Sequence, residues 1–115
     1  MHALVVGGTG MLREATLALA RRCTTVSVVA RRADSMPDRP PEINPLPLDY
    51  RDTEALAGAL RRAMEQHGPI RLAVCWIHST APGALPAVAA VLGGSGEPCR
   101  LFHVCGSAAA DPTRL

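Results

Sequence analysis

A parallel α/β sheet with helices on both faces is the fold class this sequence predicts, and three observations lead to it. Short apolar runs alternate with stretches of helical period along most of the chain. The first and second runs, "HALVVGG" and "TTVSVVARR", are continuous rather than alternating, as strands buried on both faces require. The first run also feeds a glycine-rich turn, "GGTG", that opens a helical stretch.

Each element can be justified in order. After the first strand, "MLREATLALARRC" carries Leu12, Ala15, Thr16 and Leu19 at helical spacing, with Arg21 and Arg22 near the negative end of the helix dipole. The β-branched "TTVSVVARR" is a second strand. "ADSMPDRPPEINP" is Pro-rich and reads as loop, because proline interrupts helical hydrogen bonding. A short third strand is expected around Leu46–Leu48, between prolines. Asp52 or Thr53 can cap the next helix, whose stripe is Leu56, Ala59, Leu60, Ala63 and Met64, and Gly68-Pro69 stops it. "IRLAVCWIH" is a fourth strand, with Trp76 in its core. "APGALPAVAAVLGG" is a short helix with Pro86 in its first turn, and "CRLFHVCGS" is a fifth strand. Right-handed crossovers then restrict the sheet to doubly wound orders.

Composition bounds the function. One domain, residues 1–115, is expected at this length. The net charge is +2 with no polybasic block, which argues against nucleic-acid binding. No apolar segment approaches the roughly 20 residues of a membrane span, and the start of the chain does not read as a signal peptide. All twelve basic residues are arginine, so no step that needs a lysine can be completed within these residues. Cys23, Cys75, Cys99 and Cys105 form no CxxC pair, and Cys75 and Cys105 lie in apolar runs, which suits a reduced, cytoplasmic protein. Cys75-x-x-His78 and His103-x-Cys105 lack a carboxylate to complete a ligand set, so no metal is expected. There is no G-x-S-x-G elbow for a hydrolase. His2 and His67 are expected at the surface.

The glycine turn carries the chemistry. Glycines after a first strand let the backbone approach a pyrophosphate, and the helix that follows presents unpaired N–H groups to it. The third glycine of the dinucleotide fingerprint, which serves close packing of helix on strand, is here Arg13. Either the helix rides farther from the sheet or Arg13 turns outward.

On these residues the chain resembles the N-terminal, cofactor-binding part of the short-chain dehydrogenase/reductases. "GGTGML" resembles the first-turn loop of that family, implying that Gly7, Gly8, Thr9, Gly10, Met11 and Leu12 contact the cofactor. "VVARR" sets Arg31 and Arg32 where NAD-preferring members carry an acid for the ribose hydroxyls. "LDYRD" resembles the Asp-hydrophobe-x-Asp after the third strand, implying an adenine contact for Asp49 with Tyr50 beside it. "WIHSTAPG" stands in place of Asn-Asn-Ala-Gly, and "HVCGSAAA" places Ser107 at the position of the catalytic serine. The fold implied is a Rossmann-like sheet of about five strands in the order 3-2-1-4-5.

The resemblance is partial. The only tyrosine is Tyr50, with Glu54 rather than a lysine four residues on, and the Tyr-x-x-x-Lys pair is absent. The chain is either a shortened form or a piece of a longer protein. The expected cofactor is NADP, since an arginine fork suits a ribose phosphate, with NAD as the alternative. The expected reaction is hydride transfer to or from a small carbonyl or alcohol, with His78 and Ser107 as candidate acid/base groups and His78 also as a ribose contact. The alternatives are a non-catalytic NADP sensor or interaction module, and a structural domain whose loop is empty. An exposed fifth strand would favour a homo-oligomer.

Overall fold

The computed structural model describes residues 1–7, 13–77 and 81–104. Five parallel strands form one sheet: β1 (His2–Val6), β2 (Thr25–Ala30), β3 (Ile43–Pro47), β4 (Ile70–Cys75) and β5 (Arg100–His103). Their order is β3-β2-β1-β4-β5, so the expected topology is the one observed. Three α-helices connect them: α1 (Arg13–Ala20), α2 (Thr53–His67) and α3 (Ala84–Gly93). The Pro-rich segment after β2 holds a single 3-10 turn at Ala33–Ser35.

Side chains alternate between two cores. Leu4 and Val6 of β1, Val29, Ala73 and Cys75 pack under α2 and α3, against Leu56, Leu60, Val88 and Leu92. Ala3, Val5, Val26 and Val28 face the other way, packing with Ala20, Cys23, Ala33 and Met36. A strand whose every second residue serves a different core must be apolar throughout, which explains the continuous runs in β1 and β2.

Helix α2 follows its predicted stripe: Leu56, Ala59, Leu60 and Ala63 are buried, and Met64 packs partly against them. Asp52 is the cap, accepting a hydrogen bond from the Ala55 N–H at 3.1 Å. Replacing Asp52 with alanine leaves that N–H to water and is expected to cost about 1 kcal/mol. The midpoint of urea unfolding should fall for Asp52→Ala and be largely retained in Asp52→Asn. Helix α1 departs from expectation. Its inner face is Thr16, Ala20 and half-buried Leu19, continued by Cys23, while Ala15 is exposed. Leu12 lies outside the described residues, and Arg21 and Arg22 fall in the turn beyond the helix.

Strand β3 begins earlier than Leu46 and contains both Pro45 and Pro47. Its position at the edge makes this possible. The Val26 N–H donates to the Glu42 carbonyl and the Leu48 N–H to the Ala30 carbonyl, so the even-numbered residues of β3 bond to β2. The odd-numbered ones face the free edge, where a proline has no ladder bond to lose. The Ile43 N–H, in the same phase, bonds back to Pro40.

Two further expectations are corrected. His2 is 3% exposed, not superficial, because its ring is hydrogen-bonded within the protein. Trp76 lies just past β4 and is half-buried rather than part of the strand core. His67 is exposed, as expected. Among the described residues, no helix is long and apolar enough to cross a membrane.

Candidate functional site

The strand order reverses between β1 and β4, and at such a switch point the loops leaving the carboxyl ends of the strands diverge. Gly7 is the residue at which β1 leaves the sheet. Its N–H donates to the Val29 carbonyl at 2.7 Å, while the Trp76 N–H donates to Val6 at 2.9 Å. Gly7 has φ +81°, a left-handed conformation that disfavours a side chain, and a Cβ here would collide with the Trp76 carbonyl oxygen. The glycine is therefore demanded by both backbone conformation and space. Gly8, Thr9, Gly10, Met11 and Leu12 lie outside the described residues, as do His78 after β4 and Ser107 and Cys105 after β5.

The carboxyl ends of β2 and β3 form the second part of the site. The Leu48 N–H bonds the Ala30 carbonyl at 3.2 Å, which draws Arg31 and Asp49 together. Arg31 Nη2 lies 3.2 Å from Asp49 Oδ2. Arg51 grips the same carboxylate more fully: Nη2 donates to Oδ2 at 2.7 Å, Nε reaches both oxygens at 3.1 Å, and the backbone N–H donates to Oδ1 at 3.0 Å. These bonds from Arg51, side chain first and backbone second, hold the Asp49 carboxyl well below the usual carboxylate range, and the Arg31 charge adds to them. The pair of arginines leaves the cluster with a net positive charge. Tyr50 is half-buried and packs against the core beneath α2 and α3.

Arg32 projects elsewhere. It lines a shallow groove together with Arg13, Ser35, Met36 and Pro37. Arg13, the first residue of α1, is exposed, so of the two outcomes open at the third-glycine position the side chain has turned outward.

The structure thus places Gly7, Arg31, Arg32 and Asp49 at the carboxyl ends of the strands, as the sequence expects, and sets Arg51 and Arg13 beside them. Arg51 could have been found from its spacing, since a guanidinium two residues after a loop aspartate can close back on the carboxylate. From the sequence, Arg13 bears only on how the helix seats; its place beside Arg32 depends on side-chain direction. Cys75 is fully buried, and burial, with the nearby Cys99 adding a little, pushes its thiol up to about 12, which makes it inert. Among the described residues no group of three His, Cys, Asp or Glu side chains could hold a metal ion.

No family model and no curated protein matches the sequence. Solved structures do match in shape. One is a short-chain type dehydrogenase/reductase from Mycobacterium marinum, with a TM-score of 0.73 at 20% identity, over 89% of this chain and 54% of that one. Another is a tyrosine-to-phenylalanine variant of ElxO with NADPH bound, with a TM-score of 0.69 at 12% identity, over 96% of this chain and 57% of that one. The chain thus spans little more than half the length of either protein. Combined with the strand order, the likeness establishes that this chain has the five-stranded Rossmann-like α/β fold found in short-chain dehydrogenase/reductase structures.

Proposed function

We propose that this chain binds a nicotinamide dinucleotide across the carboxyl ends of β1 and β2 and prefers NADP to NAD. The observation that carries the reading is the pairing of a left-handed Gly7 at the switch point with arginines at the end of β2. The residues fit the group: a glycine allows close backbone approach to a pyrophosphate, and guanidinium forks match a phosphate monoester. The ElxO structure that the chain resembles holds NADPH, which supports the choice of cofactor class.

In this reading Arg31 and Arg32 attract and orient the adenosine end, and Asp49 keeps Arg31 in place. Gly7, with Gly8, Thr9, Gly10, Met11 and Leu12 of the same loop, takes the pyrophosphate, and Tyr50 flanks the adenine side. The bound cofactor would supply hydride transfer with a small carbonyl or alcohol. His78 and Ser107 follow β4 and β5 in sequence and are proposed to handle the accompanying proton. Dimerisation through the β5 edge belongs to the same proposal, because Phe102 there is 53% exposed.

The affinities of NADPH and NADH, measured for the wild type and for Arg31→Glu, test the reading. Wild type is expected to bind NADPH more tightly, and Arg31→Glu to lose about tenfold or more for NADPH while changing little for NADH. Tighter binding of NADH by the wild type would overturn the preference. A purely binding role is the second reading, in which Tyr50, packed against the core, takes no part in proton transfer. NADPH binding without turnover of any carbonyl or alcohol would establish that second reading.

A further inference from the structure

Resting on the reading that the chain dimerises through β5, we propose that two copies pair their β5 strands antiparallel about Leu101, with Arg100 of each copy lying on Phe102 of the other. The sheet has two edges, and they differ. At the β3 edge Pro45 and Pro47 stand in the outward phase, so those positions offer no donor to a further strand. Strand β5 contains no proline. Among the described residues, no strand pairs with its outer side.

The phase of β5 follows from one bond. The Val104 N–H donates to the Cys75 carbonyl at 2.8 Å, so the even-numbered residues of β5 bond to β4, and Leu101 turns its N–H and C=O outward. A two-fold axis normal to the sheet keeps each face of one copy continuous with the same face of the other. With that axis at Leu101, the two Leu101 residues exchange backbone hydrogen bonds, and the two five-stranded sheets become one.

Side chains select this register. Phe102 is in register with Val74 and Arg100 with Leu72, which puts both on the face of Ala3 and Val5, the α1 side. Leu101 belongs to the opposite core, with α3. Phe102 is 53% exposed, and among the described large apolar side chains only Met1 is as open. Pairing about Leu101 sets Phe102 opposite Arg100 of the second copy, at a position without ladder bonds, where Cα atoms come within about 4.5 Å. A guanidinium over an aromatic face is attractive, and symmetry supplies the contact twice. Among the described residues Arg100 is in no ion pair, so it gives up no salt bridge by turning to the ring. The two neighbouring registers are worse. Pairing about Arg100 brings like charges together. Pairing about Phe102 stacks the rings once and leaves each Arg100 against Val104.

Because β5 is short, the interface is smaller than the roughly 1,600 Å² of a standard one, and the dimer is expected to depend on concentration. The paired strands run in opposite directions. The carboxyl ends of the two sheets therefore lie at opposite margins, and nucleotide binding is independent of pairing.

Sedimentation velocity of the whole chain, at protein concentrations up to the millimolar range, tests the inference beside NADPH titration. The wild type is expected to pass from monomer to dimer. Phe102→Ala and Arg100→Ala should each weaken dimerisation about tenfold, the loss of two cation–π contacts, and the double variant should lose little more than either alone. Arg100→Lys should recover part of the loss. Because both residues are exposed, the variants should melt like the dilute wild type and bind NADPH with unchanged affinity. A wild type that stays monomeric throughout overturns the dimer reading and this inference together. A dimer that Arg100→Ala leaves unchanged overturns the inference alone, as do losses that simply add in the double variant. A wild type that dimerises as expected and binds no NADPH removes the nucleotide reading and leaves this inference standing.

Discussion

Substituting alanine for Gly7 is expected to lower stability by about 3 kcal/mol, because a strained backbone and an unavoidable clash act at the same position. The φ of +81° is already unfavourable for any residue with a Cβ, and the new atom would press into the Trp76 carbonyl oxygen. Relaxation is blocked on both sides. Gly7 cannot move away without stretching its 2.7 Å bond to Val29, and Trp76 cannot retreat without losing its 2.9 Å bond to Val6. Urea unfolding of Gly7→Ala should show a clearly lower midpoint, and NADPH binding should be lost even where the variant remains folded. A midpoint equal to that of the wild type would mean that the backbone here can give way, and that the turn is not fixed by the sheet.

The same residue shows what could be read from the sequence. A continuous apolar run ending in two glycines identified β1 and its exit, since only a strand buried on both faces needs such a run. The α2 stripe was legible for an equally local reason: five apolar positions, an aspartate cap and a Gly-Pro stop agree with one another. Strand β3 was harder, because two prolines argue against a strand until its place at the sheet edge is known, and edge position is a property of topology. The burial of His2 is not legible in the sequence, because it depends on partners, Ser27 and Gly68, that lie far from it in sequence. At the candidate site, Arg31, Arg32 and Asp49 could be placed by their strand ends. That Arg51 would close on Asp49, and that Arg13 would face Arg32 across a groove, depends on side-chain direction, which no spacing rule supplies.

The second large effect is expected at the opposite end of the sheet, where polar groups are buried without any part in the candidate site. The Nδ1 of His2 lies 2.8 Å from the Gly68 carbonyl, and a carbonyl only accepts, so Nδ1 carries the proton. Nε2 then accepts from the Ser27 hydroxyl at 2.7 Å, and Ser27 Oγ in turn accepts from Asn44 Nδ2 at 3.1 Å. One chain of bonds thus ties β1, β2, β3 and the end of α2 together, and among the described residues no buried side-chain nitrogen or oxygen lacks a partner. Ser27→Ala would leave the buried Nε2 and the Asn44 amide without this partner, at a cost of about 2 kcal/mol in urea unfolding. Acid attacks the same chain. Burial lowers the pKa of His2 below its ordinary 6.5, the Gly68 carbonyl opposes this, and the exposed His67 and the N-terminal ammonium lower it further. Protonation would also turn Nε2 into a donor facing a hydroxyl whose proton then has nowhere to go. Because the folded-state pKa is the lower one, the unfolded chain binds more protons in the window beneath 6.5, so stability is complete above that pH and falls as pH drops towards the folded value. The urea midpoint should therefore decrease between pH 7.5 and pH 5.5 in the wild type and decrease much less in His2→Gln, conditions at about one unit either side of an ordinary histidine pKa. A wild-type midpoint that rose on acidification would show that His2 is charged in the folded protein, and the bond between Nε2 and the Ser27 hydroxyl would then have to run from the ring to the hydroxyl oxygen.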